Sequence, residues 1–282
     1  MDGFLRVLSA VLGWTYFFLW SISFYPQPIL NHERKSVAGT TIDFPLINSF
    51  GYVCLLATNL AFYASPLIRA QYAARYHGLT PTVRLNDIAF ALHALLISIL
   101  TLSQYSLPRL WRFPPTSSSS TRPSRFILGC IAGGTLSVTA FALLVLAHPA
   151  PRPALAWCEL DLVYAVGYVK VLVTLVKYAP QILANRRNRS TRGWSIWQIL
   201  LDVGGGAASI AQLGIDSYLQ RDWSGVTGNP VKLAIGNASV FFDCVFMFQH
   251  YVLYREDAGR KEDDGDGERA RLLDAADDAG FA

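Results

Sequence analysis

Charged residues make up only 16% of the 282-residue chain, where a soluble domain usually carries about 25%. That shortage argues against a water-soluble fold, and the apolar content argues against a disordered chain. Only 4 cysteines are present, which excludes a disulfide-stapled secreted module. No zinc-ligand spacing, nucleophile triad or Walker pattern occurs, so the chain reads as neither an enzyme nor a metal protein. No cofactor and no nucleic-acid partner are expected. Gly204, Gly205 and Gly206 resemble a phosphate loop only superficially; inside a span they permit close helix approach.

What the chain has in abundance is apolar sequence, 52% of its residues. A bilayer core about 30 Å thick needs about 20 mostly apolar residues in a helix. Seven stretches satisfy this: Leu5–Leu30, Phe44–Ile68, Ile88–Leu107, Phe126–His148, Leu160–Leu183, Ser195–Tyr218 and Val231–Tyr254. The first lacks a small-residue cleavage site and runs into Pro26 and Gln27, so it reads as a span and not as a cleaved signal. Cys54, Cys130, Cys158 and Cys244 lie in or beside spans and are read as small apolar packing groups.

Lysine and arginine divide unevenly between the two sets of loops. One set, with the tail, holds fifteen, including Arg34, Lys35, Arg109, Arg186 and Arg255; the opposite set holds seven, including Arg75, Arg84 and Lys232. The positive-inside rule makes the first set cytosolic, with the N-terminus luminal and the C-terminus cytosolic. Residues 113–125, with prolines and a serine run, form a low-complexity linker. The tail from Arg255 is half charged and reads as disordered. Its Glu268 followed by Leu272 and Leu273 has the spacing of an acidic dileucine signal for sorting adaptors.

A shift of 154 residues aligns Phe24–Gly51 with Tyr178–Gly205, with 8 identities in 28 positions, among them Pro26/Pro180, Gln27/Gln181, Asn31/Asn185 and Gly51/Gly205. The offset crosses an even number of spans, so both copies keep one orientation. The expected fold is all-α and polytopic, with two parallel three-helix bundles joined by a linker helix. The first bundle takes residues 1–108, the linker and fourth span 109–150, the second bundle 151–254 and the tail 255–282. A proline inside a helix removes a hydrogen bond and kinks it, and the adjacent glutamine amide could serve the freed carbonyl. Pro26 with Gln27 and Pro180 with Gln181 are therefore expected hinges.

The strings WSISFYPQ at Trp20–Gln27, LVKYAPQ at Leu175–Gln181, GWSI at Gly193–Ile196, LLD at Leu200–Asp202 and QHYVLY at Gln249–Tyr254 resemble the cystinosin branch of the PQ-loop family. The likeness runs from about Gly13 to Tyr254. It departs at both ends, where the long luminal region and tyrosine-based tail signal of the animal members are missing, and so points to a fungal-type vacuolar member. The resemblance implies a proton-coupled carrier exporting L-cystine from the lysosome, vacuole or endosome. The bilayer, cystine and protons are then the partners.

Ionisable groups at mid-membrane cost about 2.5–3.5 kcal/mol each and face a water-filled cavity or a partner. Lys170, Lys177, Asp202 and Asp243 are such groups. The repeat relates Asn48 to Asp202 and Phe24 to Tyr178, which puts each pair at matching depth. For a doubly zwitterionic substrate, Lys170 takes a carboxylate, Asp202 an ammonium, Asn48 and Gln198 either, while Trp20, Phe24 and Tyr178 form walls. Gln198 replaces the asparagine that the resemblance implies. A structural ion pair of Lys170 with Asp202 is the plainer alternative. Asp202 is the expected proton carrier. Asp87 and Asp243, aligned after a two-residue shift, are proton-sensitive candidates by resemblance. His93 and His250 are read as packing histidines. Alternatives in function are a PQ-loop carrier of another amino acid or a sugar, and a non-transporting membrane receptor.

Overall fold

The computed structural model describes residues 2–37, 42–113, 122–147, 157–189, 196–220 and 230–254. The side chains of residues 30, 179–181, 183–185, 187–188 and 196–198 fall outside that description. Among the described residues all regular structure is helical: α1 Asp2–Ile22, α2 Pro26–Arg34, α3 Asp43–Ala64, α4 Pro66–Arg75, α5 Leu85–Ser106, α6 Arg125–Ala147, α7 Glu159–Asn188, α8 Ile196–Leu219 and α9 Pro230–Phe248. A π-helical turn, Gln249–Leu253, continues α9.

Six of these stretches are long and apolar enough to cross a membrane, counting α1 with α2 as one. The seventh crossing is α7. Its 30 residues rise about 45 Å at about 1.5 Å each, but Lys170 and Lys177 interrupt its apolar run.

The first expected span is not one helix. α1 stops at Ile22 and α2 starts at Pro26, which occupies the first helical turn, where proline's missing N–H costs nothing. Its equivalent in α7 behaves differently, because that helix runs unbroken through Pro180. The second expected span also ends early, at Ala64, where Ser65 caps α4 by accepting from the Ile68 N–H and Pro66 follows.

Packing closes six helices into a ring, in the order α1, α5, α3, α7, α9, α8 and back to α1. The ring carries the sequence repeat. The α1 with α5 contact corresponds to α7 with α9, α3 with α5 to α8 with α9, and α3 with α7 to α8 with α1. α6 lies outside the ring, mainly against α7, with only Ile127 and Val145 buried. Large apolar side chains such as Phe4, Phe18, Leu96, Leu136 and Phe241 face outward, as a lipid-solvated surface requires. α2 and α4 lie at opposite ends of the ring, here called the α2 end and the α4 end.

The last identity of the repeat marks where the two bundles cross. A Cβ on Gly205 would sit 2.5 Å from the Trp20 indole, and one on Gly51 would sit 2.8 Å from Val173. Gly206 holds the same kind of contact, 2.7 Å from Val240. Small residues let backbones approach where lipid supplies no hydrophobic drive. Gly205→Ala should cost about 1–3 kcal/mol by overpacking against a rigid ring, read as a lower melting temperature in detergent. Gly214, in the same helix, supplies the control, because a methyl added there would meet nothing within 4 Å. Gly214→Ala should be neutral or stabilising.

Candidate functional site

Midway along the ring, α7, α8 and α9 bring four of the second bundle's polar side chains together. Tyr178 donates its hydroxyl to Asp202 Oδ2 at 2.9 Å, and Ser239 donates to the same oxygen at 3.1 Å. Ser239 also lies 3.3 Å from Asp243 Oδ2, so one hydroxyl sits between two carboxylates. Asp243 is fully buried, and among the described residues no donor reaches its Oδ1. Phe242 stacks on the Tyr178 ring at 4.9 Å. Asp202, Tyr178 and Lys177 are only half-buried. The Lys177 ammonium lies 4.6 Å from the Tyr178 ring centroid.

Across the α3 to α7 crossing, Lys170 is 2% exposed. Its ammonium lies over the Tyr52 ring, 3.6 Å from the centroid. No ion pair joins it to Asp202; among the described residues no carboxylate stands within 4.0 Å of it. A cation–π contact offsets part of the desolvation of an ammonium, about 2 kcal/mol or more in a dry site, against several for burying the charge. Asn48, the repeat partner of Asp202, is 1% exposed, and among the described residues no donor reaches its Oδ1.

The aromatic side chains expected as walls are tied into the scaffold. Trp20 donates its indole N–H to the Asp202 carbonyl at 3.0 Å and packs on Phe90. Phe24 stands edge-on to Tyr52 at 5.6 Å. A small cleft beside Trp20, Phe90 and Lys232 holds about 30 Å³, room for about one water. A larger groove of about 770 Å³ runs between α6 and α7 and touches neither Lys170 nor Asp202.

The α4 end is bolted across the two bundles. Lys232 pairs with Asp87 at 2.8 Å and reaches Gln212 Oε1 at 2.8 Å. Arg84 grips Asp216 through two nitrogens, at 2.6 and 2.9 Å, and Ser9 donates to the same carboxylate at 2.6 Å. Asn86 and Gln212 exchange amide contacts at 3.3 and 3.4 Å. Arg75 pairs with Asp161 at 2.6 Å, and that hydrogen bonding holds its guanidinium above the usual arginine range.

Asp87 does not stand where Asp243 stands. It is the third residue of α5, capping the Arg84 N–H at 2.7 Å, whereas Asp243 is the fourteenth of α9, about 16 Å deeper at about 1.5 Å per residue. Lys232, eleven residues before Asp243 in the same helix, is the ion-pair partner of Asp87. The two-residue shift aligned two aspartates that occupy different depths.

The role expected of Gln27 also differs. It donates to Asn31 Oδ1 at 2.9 Å and not to a backbone carbonyl freed by Pro26. Pro180, Gln181 and Gln198 lie in helices, but their side chains are outside the described set, and Glu268, Leu272 and Leu273 lie outside the described residues altogether. His93 packs against Phe17 and meets Tyr25 at 2.8 Å; His250 packs on Tyr251.

Sequence reasoning missed Tyr52, Ser239 and Lys232. The first two had a signal: Tyr52 is four residues after Asn48 and Ser239 four before Asp243, each on one helix face with a polar residue already singled out.

Comparison with known proteins fits this arrangement. A family model described as PQ loop repeat matches residues 8–68 and 162–222, two stretches with the same 154-residue spacing as the internal repeat. A cystinosin homolog of Arabidopsis thaliana is 35% identical over 275 residues, covering 96% of this chain and 96% of that protein. The cystinosin of Drosophila melanogaster is 38% identical over 248 residues, 88% of this chain, so the chain spans 58% of the fly protein's length. A cystine transporter of Saccharomyces cerevisiae is 28% identical over 252 residues, 87% of this chain and 94% of its own. With two PQ-loop repeats packed as a closed ring and relatives matched along most of its length, the chain belongs to the cystinosin family of PQ-loop membrane proteins.

Proposed function

We propose that this chain carries L-cystine together with protons from the acidic lumen of a lysosome or vacuole into the cytosol, by alternating access between its two bundles. The observation that carries the reading is the Lys170 ammonium, buried in the ring against a tyrosine face and, among the described residues, with no carboxylate within 4.0 Å. A substrate carboxylate would complete that site. Cystine also brings ammonium groups, for which Asn48 Oδ1 and Asp243 Oδ1, without a donor among the described residues, are acceptors together with Asp202. Relatives named cystinosin and cystine transporter support the choice of substrate.

In this reading the α4 end faces the lumen, as the lysine and arginine distribution favours. The bolted contacts there keep the lumen shut while Asp202 and Tyr178 keep some exposure. Protons act on carboxylates in two places. One shared between Asp202 and Asp243 relieves the repulsion across Ser239, and one on Asp87 removes its attraction for Lys232. Binding energy and protonation together part the bundles; no covalent step is involved.

Purified protein in liposomes tests this directly. Labelled cystine should accumulate when the outside is acid, and the accompanying current should be absent with glucose and with lysine. Cystine binding without flux would replace the carrier by a receptor, and current with lysine or glucose would replace the substrate.

A further inference from the structure

The two PQ motifs share a contact that the sequence repeat does not reach. Gln104 in α5 donates its side-chain N–H to the carbonyl of Pro28 at 3.0 Å, and Gln249, at the end of α9, donates to the carbonyl of Ile182 at 3.3 Å. Pro28 and Ile182 are 154 residues apart, each two residues past the proline of its PQ motif. The glutamines match as well: Gln104 lies in the last turn of α5, and Gln249 directly follows the last residue of α9. Both are buried, 1% and 5% exposed.

In the first bundle the contact ends a relay. Gln27 donates to Asn31 Oδ1 at 2.9 Å, Asn31 donates to Gln104 Oε1 at 2.8 Å, and Gln104 donates to the Pro28 carbonyl. The repeat carries Gln181 and Asn185 at the corresponding positions of the second bundle. The glutamine of the PQ motif is thus linked through Asn31 to a second glutamine one helix away.

We propose that Gln104 and Gln249 are paired positioning residues, each tying the backbone just past its PQ proline to the third helix of the same bundle, so that a bend at the proline carries that helix with it. This rests on the alternating-access reading above. A proline supplies a bend but no direction. A buried amide clamped to the next turn converts local bending into movement of a whole bundle. The two copies stand in different local geometries, as two ends of such a motion would. In the first bundle the helix breaks before Pro26 while α5 stays α-helical at Gln104. In the second, α7 is continuous at Pro180 while Gln249 opens a π-helical turn, a form common at functional sites.

The test reads the clamp apart from transport. In a Cys130→Ser, Cys244→Ser background, spin labels at Arg34→Cys and Ser106→Cys report on the first bundle, and labels at Arg189→Cys and Leu253→Cys on the second. Gln104→Met should broaden the first label-pair distance and leave the second unchanged; Gln249→Met should do the reverse. Each should lower maximal cystine flux by about tenfold, the scale of one buried hydrogen bond, with KM unchanged. If Gln104→Met does not fold, Gln104→Glu keeps its size and the acceptor for Asn31 while removing the donor. Unchanged label distances in the variants, or unchanged maximal flux alongside working transport, overturn the clamp. Lack of cystine flux in the unmutated protein overturns the transport reading while the label distances still decide the clamp.

Discussion

An Asp202→Asn protein is expected to lose most of the acid-stimulated component of cystine uptake, keeping only what Asp87 contributes, while still exchanging cystine when no pH difference is imposed. Asparagine keeps an oxygen for the Tyr178 and Ser239 hydroxyls, which now donate to Asp202 Oδ2 at 2.9 and 3.1 Å, so the local fold should survive. The bond from Trp20 goes to the backbone carbonyl of residue 202 and is untouched by the change. What disappears is the group that can take up and release a proton next to Asp243. Two carboxylates on either side of one hydroxyl repel each other, so the charge on one bears on the charge of the other. Substituting one removes that dependence and leaves binding polar contacts in place. Uptake by the variant that rises with external acid as steeply as in the parent would move proton coupling away from this pair.

Much of the architecture was legible because lipid imposes it. Each backbone group must be satisfied within its own segment, so spans show up as long apolar runs, and the duplication predicts a paired bundle. The pairing of Asn48 with Asp202 was legible for the same reason: matched positions in a repeat reach matched depths. The neighbours of those residues were not. Tyr52 meets Lys170 across the α3 to α7 crossing, and Ser239 meets Asp202 across α8 and α9, contacts set by helix rotation and crossing that a one-dimensional pattern does not contain. An ion pair of Lys170 with Asp202 was a reasonable alternative on charge alone, but the tyrosine ring takes the ammonium instead. Lys232 was hidden for another reason. Near a helix start it counts as an ordinary loop cation, and only the ring shows that it sits opposite Asp87 in the other bundle.

That opposition leads to the second large effect. Lys232→Met alone should destabilise the protein by about 3–5 kcal/mol, the cost of leaving one member of a buried pair without its partner. In a chain this size that is a fall of about 10 °C in melting temperature. The pair is well enclosed, with side chains 10% and 7% exposed at 2.8 Å, so solvent does little to screen the loss. Asp87 would keep its contacts to Tyr16 and to the Arg84 N–H, which fix the carboxylate without supplying a formal positive charge. Combining Lys232→Met with Asp87→Asn should recover most of the stability, because no uncompensated charge remains and the Arg84 N–H still finds an oxygen. A double-mutant cycle in detergent measures the difference as a coupling energy. A small coupling, with both single variants as stable as the parent, would mean that the Arg84 to Asp216 contact alone closes this end. A large coupling means that the buried pair of Lys232 with Asp87 is a main contact closing the α4 end, so that any opening there has to break it.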